Sequence, residues 1–282
     1  TGNRLPAPSA FQPRLLRFRF AQTKRNAMNP AVTACVIVIG NEILSGRTQD
    51  INLGHIATTL GDWGIQVHHA RVIPDDETII VNTINEVRAA YDYVFTTGGI
   101  GPTHDDITAV CIAKAFAVPV IQHPDIADRI RQRPAPDDIM ASRLLMARVP
   151  EGASLIENPS GGPQGFVMGN VYVMAGIPRV MQAMLSTLDG KLRSGFVIRS
   201  HTVRAYTGES SIADALAQIQ QDHPDADIGS YPFLRDDRYG THLVIRGADT
   251  TLLAKIAAQV MDAVRAIGEE PEDLGLDADA KA

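Results

Sequence analysis

The stretch "TTGGIGPTHDDITAV", residues 96–110, decides how the chain is read. Its first residues close a β-rich run, "YDYVFTT" (91–97), and its last ones open a helical apolar pattern, "DITAVCIAKAFA" (106–117). Between them stand Gly98, Gly99 and Gly101, which tolerate positive φ and close backbone approach, ahead of a helix whose first amides favour an anion. This pattern predicts an α/β fold with a phosphate cradle at Thr97, Gly98, Gly99, Gly101 and Thr103, a simple tight turn being the competing reading. Asp105 and Asp106 complicate the cradle. Capping a helix needs one side chain, and two carboxylates beside a phosphate repel it unless a cation or proton lies between them. The expectation is that Asp106 or Asp105 caps the helix while the other faces the site and holds a metal or handles a proton.

Outward from this stretch the same alternation repeats. "TACVIVIG" (33–40), "IQVHHARVI" (65–73) and "VPVIQ" (118–122) read as strands, with helices over 50–64, 74–90 and 106–117. Strands alternating with helices predict right-handed crossovers and a doubly wound, mostly parallel sheet with helices on both faces. Two helices are expected around "RQRPAPDD" (131–138), a hairpin at "FVMGNVYVMAG" (166–176) with Gly169-Asn170 at its turn, and a helix from Pro178. Beyond Gly190 the order becomes β-α-β-β-α, a smaller α+β domain. The expected division is 1–30 as a basic tail or upstream-translated segment, 31–190 as the α/β domain, 195–268 as the small domain and 269–282 as a solvated acidic tail.

In open parallel sheets ligands sit outside the carboxyl ends of the strands. Besides the glycine turn, "GNEILSGRTQD" (40–50) qualifies, offering Ser45, Gly46 and Asp50, and so does "NPSGGPQGF" (158–166), offering Asn158, Gly162 and Gly165. Asp50 reads first as a helix N-cap. Glu42 follows directly on a buried strand, where a charge is costly without a partner. With Asp105 and Asp106 it is the expected third member of a hard, oxygen-rich metal set.

Composition bounds the rest. Hydrophobic residues make up 45% and charged residues 21% of 282, an ordinary globular balance. Of 26 Lys and Arg, six precede Met28, whereas all 32 Asp and Glu follow it. So acidic a body repels nucleic-acid backbone and anionic membrane, and neither is expected as a partner. Cys35 and Cys111 lie in apolar segments and read as buried free thiols of a reducing compartment, consistent with a cytoplasmic location.

The motifs "IGNEILSGRTQDIN", "VIPDDETII", "TTGGIGPTHDDIT" and "NPSGGPQGF", in this order over about 33–189, resemble the MoaB/MogA-type molybdopterin-binding fold and, more closely, the amino-terminal module of CinA-like (competence/damage-inducible) proteins. "TGESSIADAL" and "IGSYP" are similar to the second lobe of those modules and of the one fused to eukaryotic FAD synthase. No counterpart of the CinA carboxyl-terminal amidohydrolase domain is expected. The resemblance implies that Gly98, Gly99, Gly101 and Asp106 hold a pterin or nucleotide phosphate. It implies pyrophosphate hydrolysis, on ADP-ribose, FAD or a related dinucleotide, with Mg, Mn or Co and potassium as a further candidate. Its alternatives are adenylyl transfer to molybdopterin in cofactor assembly, or binding without catalysis, and a homo-oligomer is expected. At "AGIPRVMQAM" (175–184) the chain departs from the Pro-Gly-Val-Pro-x-Glu of CinA-like proteins, and "GGPQGF" departs from their Thr-Ala-Pro-Gly-Phe.

Overall fold

The computed structural model describes residues 31–277, so the expected basic tail 1–30 and the last residues of the acidic tail lie outside the described part. The first unit runs β1 (Val32–Ile39), α1 (Asn41–Leu44), α2 (Asn52–Asp62), β2 (Ile65–Ile73), α3 (Glu77–Ala90), β3 (Tyr93–Thr97), α4 (Thr108–Ala115), β4 (Val120–Gln122), α5 (Pro124–Arg131) and α6 (Asp137–Leu144). It continues through β5 (Arg148–Pro150), β6 (Ser154–Ile156), β7 (Gly165–Met168), β8 (Val171–Met174) and α7 (Pro178–Ser186).

β1 is its axis. Successive side chains of a strand face opposite ways, and here Cys35, Ile37 and Ile39 join one core while Val32, Ala34 and Val36 join another. An apolar run without alternation therefore suits a strand covered on both faces. Ile80, Ile84 and Val87 of α3, Ile112 of α4 and Ile126 of α5 fill the first layer; Ile56 and Leu60 of α2 and Met181, Met184 and Leu185 of α7 fill the second. The sheet order is β2-β1-β3-β8-β7-β6. The first four strands are parallel, and β7 and β6 complete the sheet in antiparallel fashion. The hairpin turn falls at Gly169, φ +59°, as the sequence predicts. Asn170 Nδ2 donates to Arg88 O and Tyr91 O, tying the turn to the end of α3. Both cysteines are buried and free, and burial pushes each thiol up to about 11.

Two expectations change. "VPVIQ" does not enter the main sheet: among the described residues β4 pairs with β5 alone, and its exposed ends lack the apolar cover an interior strand requires. The segment from 269 is not wholly a solvated tail, because β12 (Glu272–Leu276) pairs antiparallel with β9 (Arg199–Ala205). Its acids are drawn in by basic partners on β9: Arg204 Nη1 donates to Glu272 at 3.0 Å, and His201 Nε2 lies 2.7 Å from Asp273 Oδ1.

Between β9 and β12 stand α8 (Glu209–Asp222), β10 (Asp227–Arg235), β11 (Arg238–Gly247) and α9 (Thr250–Ala266). The sheet order is β10-β11-β9-β12, with both helices contributing to a core of Val203, Leu243, Ile245, Ile212, Ile256 and Val260. This is a smaller, β-rich α+β unit beside the larger α/β unit.

Candidate functional site

The carboxyl ends of β1, β2, β3 and β8 bring four loops to one rim. β7 runs antiparallel to β8, so the 157–164 loop, which ends at Gly165, meets the same rim.

Gly98 and Gly99 form the tightest point. Gly98 has φ +106°, and a Cβ there would lie 2.1 Å from Ile39 O; Gly99 has φ +67°, and its Cβ would lie 2.1 Å from Thr108 Oγ1. The turn is pinned from both sides. Gly98 N donates to Met174 O (3.2 Å), Thr108 Oγ1 donates to Gly98 O (3.0 Å), and Thr108 N donates to Gly99 O (3.0 Å). The next three amides are uncommitted: among the described residues, the N–H groups of Gly99, Ile100 and Gly101 donate to no protein group. Successive free amides on a positive-φ turn form an anion-binding concavity, and the start of α4 stands beside it.

Thr97 is not a free ligand. Its buried Oγ1 donates to Ala175 O (3.0 Å) and accepts from Asn52 Nδ2 (2.8 Å). Thr103 is exposed, and both its amide and its hydroxyl donate to Asp106 Oδ2, at 2.9 and 2.5 Å. That arrangement overturns the capping expectation for both aspartates. α4 starts at Thr108 with Ile107 in the cap position and no side chain on its amides, because Asp106 folds back onto the 101–106 turn. Asp105 is exposed, and its carboxyl is held below the ordinary aspartate range first by the nearby Thr103 hydroxyl, whose one proton it shares with Asp106, and then by its own amide.

Glu42 sits in the first turn of α1, exposed, its carboxylate turned back over Gly40; a Cβ on Gly40 would lie 2.6 Å from either oxygen. The expected burial cost is absent, since the chain leaves the sheet at Gly40. Nor do Glu42, Asp105 and Asp106 form the expected metal set: among the described residues no three His, Cys, Asp or Glu side chains converge on a shared point. Ser45 closes α1, donating to Glu42 O (3.2 Å), and Gly46, at φ +71°, makes an open turn. Asp50 behaves as a cap, its Oδ1 accepting from Leu53 N at 2.9 Å.

In the third loop, Asn158 is spent internally. Its Oδ1 accepts from Ser160 N and Oγ, and its Nδ2 donates to Pro163 O. Gly165 is a packing residue, its would-be Cβ 2.4 Å from Val173 O. Gly162 accepts from Arg129 Nη1 through its carbonyl at 3.5 Å, and its amide donates to no protein group among the described residues.

Sequence reading missed the residues that hold the rim together. Asn52, 4% exposed, donates from Nδ2 to Thr97 Oγ1 and to Gly176 O, both at 2.8 Å, and so joins three loops. Asp75 accepts from Asn41 N at 2.9 Å and fixes the first loop to the second strand's end. The signal for Asn52 was an amide in the first turn of an amphipathic helix beside Asp50, which already served as cap.

The family model for the probable molybdopterin binding domain matches residues 35–193, and that for the FAD synthase middle domain matches 197–271. A protein of Archaeoglobus fulgidus is 32% identical over 197 residues, spanning 70% of this chain and 84% of its own. The CinA-like protein of Citrifermentans bemidjiense is 34% identical over 194 residues, 64% of this chain and 46% of that protein; the chain thus spans about half the length of such relatives. The crystal structure described as protein CinA with unknown function, from Thermoplasma acidophilum, is 33% identical and superposes with a TM-score of 0.51 over 56% of this chain and 98% of that one. The first model covers more than half of the chain and takes in the crossover sheet from Cys35 onward with its pinned glycine turn, and the chain belongs to the molybdopterin-binding domain family of MoaB/MogA type, with CinA-like proteins among its relatives.

Proposed function

We propose that the rim binds the phosphates of a nucleotide or pterin and that the protein hydrolyses a nucleotide pyrophosphate such as ADP-ribose or FAD with a divalent metal. The observation that carries the reading is the run of uncommitted amides at Gly99, Ile100 and Gly101, backed by a helix start. Three donors fixed before the ligand arrives stabilise charge on phosphoryl oxygens without reorganisation. The family matches, one of them to the middle domain of FAD synthase, favour a nucleotide ligand.

The donor set fits a magnesium-class ion. Asp106 commits only Oδ2 to Thr103, and Asp105 stands exposed next to it. Such an ion takes one or two carboxylates and fills its shell with phosphate oxygens and water, so no three-residue cage is required. When bound, it would neutralise charge on the pyrophosphate. Asp106 orients the attacking water and accepts its proton. The water oxygen bonds to phosphorus, the anhydride P–O bond breaks, and two phosphate monoesters leave. The reaction uses small diffusible reactants, and no helix among the described residues is long and apolar enough to cross a membrane. A cytoplasmic location and a homo-oligomeric state belong to the same proposal.

The test incubates the 28–282 protein with ADP-ribose, FAD and NAD, and with molybdopterin plus ATP, across Mg²⁺, Mn²⁺ and Co²⁺, beside Asp106→Ala. Metal-dependent cleavage of a dinucleotide that falls at least a hundredfold in Asp106→Ala is expected, the range over which positioned proton-transfer groups act. Turnover indifferent to both metal and Asp106 would overturn the mechanism, and adenylylation of molybdopterin in its place would assign the chain to cofactor assembly.

A further inference from the structure

β10 (Asp227–Arg235) borders the sheet of the β-rich unit: β11 pairs with it along its nine residues, and among the described residues no strand lies on its other side. A bare strand edge recruits another strand unless the sequence blunts it. Here the blunting is partial. Backbone polar groups of an antiparallel strand alternate between its two sides, and Ile228 N, which donates outward to Gln220 Oε1 at 2.7 Å, marks the outward set as Ile228, Ser230, Pro232 and Leu234. Ile228 is thus capped, and Pro232 has no N–H to offer at a position where an edge tolerates proline. Ser230 and Leu234 keep outward amides that donate to no protein group among the described residues.

Laid antiparallel against a second copy of itself about Tyr231, β10 is its own complement. Asp227 then faces Arg235, Ile228 faces Leu234, and Gly229 faces Phe233. Each Ser230 amide points at the Pro232 carbonyl of the other copy and each Leu234 amide at its Ile228 carbonyl, so both free donors find acceptors. The facing charges are available. Asp227 and Arg235 are exposed and only loosely engaged within the chain, 3.7 Å from Arg246 and 4.0 Å from Asp236. Leu234, 59% exposed, lies on the same side of the strand as Ile228, which packs toward the helices. On that side a groove of about 530 Å³ between α8 and β10, lined by Ala213, Leu216, Ala217 and Ile228, stands where this register brings the Leu234 of the other copy. Other occupants fit less well. An unrelated strand meets the two missing donors without the matching charges, and Glu209 beside the groove, with Asp236 and Asp237 at the β10–β11 turn, repels a nucleic-acid backbone. We infer that β10 is an interaction surface for a second copy of this chain, the two strands pairing antiparallel across a two-fold axis at Tyr231 to make one continuous sheet. This rests on the homo-oligomeric state proposed above and names its surface.

Two measurements on the full chain test it. Tyr231→Cys puts a thiol on the axis, where facing residues of a non-hydrogen-bonded pair stand about 4.5 Å apart between Cα atoms, inside the disulfide range. Mild oxidation at low protein concentration should cross-link this variant at least about tenfold faster than Leu276→Cys, an exposed position on β12 at the opposite border, because pairing raises the effective thiol concentration. Cys35 and Cys111 are buried and stay out of the reaction. In sedimentation velocity, Arg235→Asp should raise the dimer Kd at least about tenfold, since like charges then face each other twice across the axis, and adding Asp227→Arg should restore it. Melting temperatures of each variant read any cost to the fold separately. Equal cross-linking at both positions, or a dimer that ignores the charge reversal or is not rescued by the swap, overturns the inference alone. A wild type that stays monomeric at every concentration overturns the homo-oligomeric reading together with this one.

Discussion

Thr96 shows how a residue's chemistry can oppose its position. It lies fully buried in β3, one residue before Thr97, and its hydroxyl meets no hydrogen-bond partner among the described residues, whereas the hydroxyl of Thr97 is doubly engaged. β-Branching suits both to the strand, so the sequence cannot tell them apart; only the partners brought by α2 and by residue 175 do. Thr96→Val is therefore expected to stabilise the protein by about 1 kcal/mol, since an isosteric methyl replaces an unsatisfied hydroxyl, read as an increased urea midpoint with an unchanged slope. A loss of stability would show that the hydroxyl has a partner. The aspartates illustrate the same limit. Asp105 and Asp106 were recognisable as unusual beside a phosphate cradle, but their assignment to a cap failed because the chain turns back at Thr103 before α4 begins.

At the scale of elements, legibility depends on how local the causes are. β1, α3 and the hairpin at Gly169 were readable because an apolar run, a cap such as Asp76 on Ile79 N (2.9 Å), and a Gly-Asn turn act within a few residues. The ties made by Asn52 and Asp75 were not, because their partners lie far along the chain and meet only when the sheet forms. The β3–α4 turn carries a direct test. Gly98→Ala forces a side chain into positive φ and against the backbone oxygen of Ile39, so a loss of at least about 1–2 kcal/mol is expected by chemical denaturation. The opposite end of the sheet gives a pH prediction. Asp92 accepts from Thr33 N (2.8 Å), Thr33 Oγ1 and Arg193, and the Thr33 amide above all holds its carboxyl below the ordinary range. A depressed folded pKa adds stability that is present above the unfolded value, near 3.8, and is lost as pH falls through the folded one. Asp92→Asn should therefore destabilise at pH 7 and matter less at pH 3, compared by urea titration at both; equal effects would contradict the charge-based account.

Across the whole molecule, the change in element order near Gly190 was visible in the sequence, whereas β12 was hidden by an acidic composition that only its partners on β9 explain. No element of the α/β unit packs broadly against an element of the β-rich unit among the described residues, which leaves the rim and its glycine turn accountable to the first unit. The fold was thus legible to the level of layers and crossovers, while the metal set was not: Glu42 was grouped with the aspartates because it follows a buried strand at the same rim, and an exposed first turn leaves it without need of that partner. The central claim is that the free amides of the β3–α4 turn receive the ligand's phosphate. Amide-resolved NMR titration of the full chain with ADP-ribose and Mg²⁺ tests it most directly. The account predicts saturable shifts centred on Gly99, Ile100 and Gly101, matched by a fall in their hydrogen exchange. Saturable binding that leaves these three amides unmoved while shifting others would contradict it.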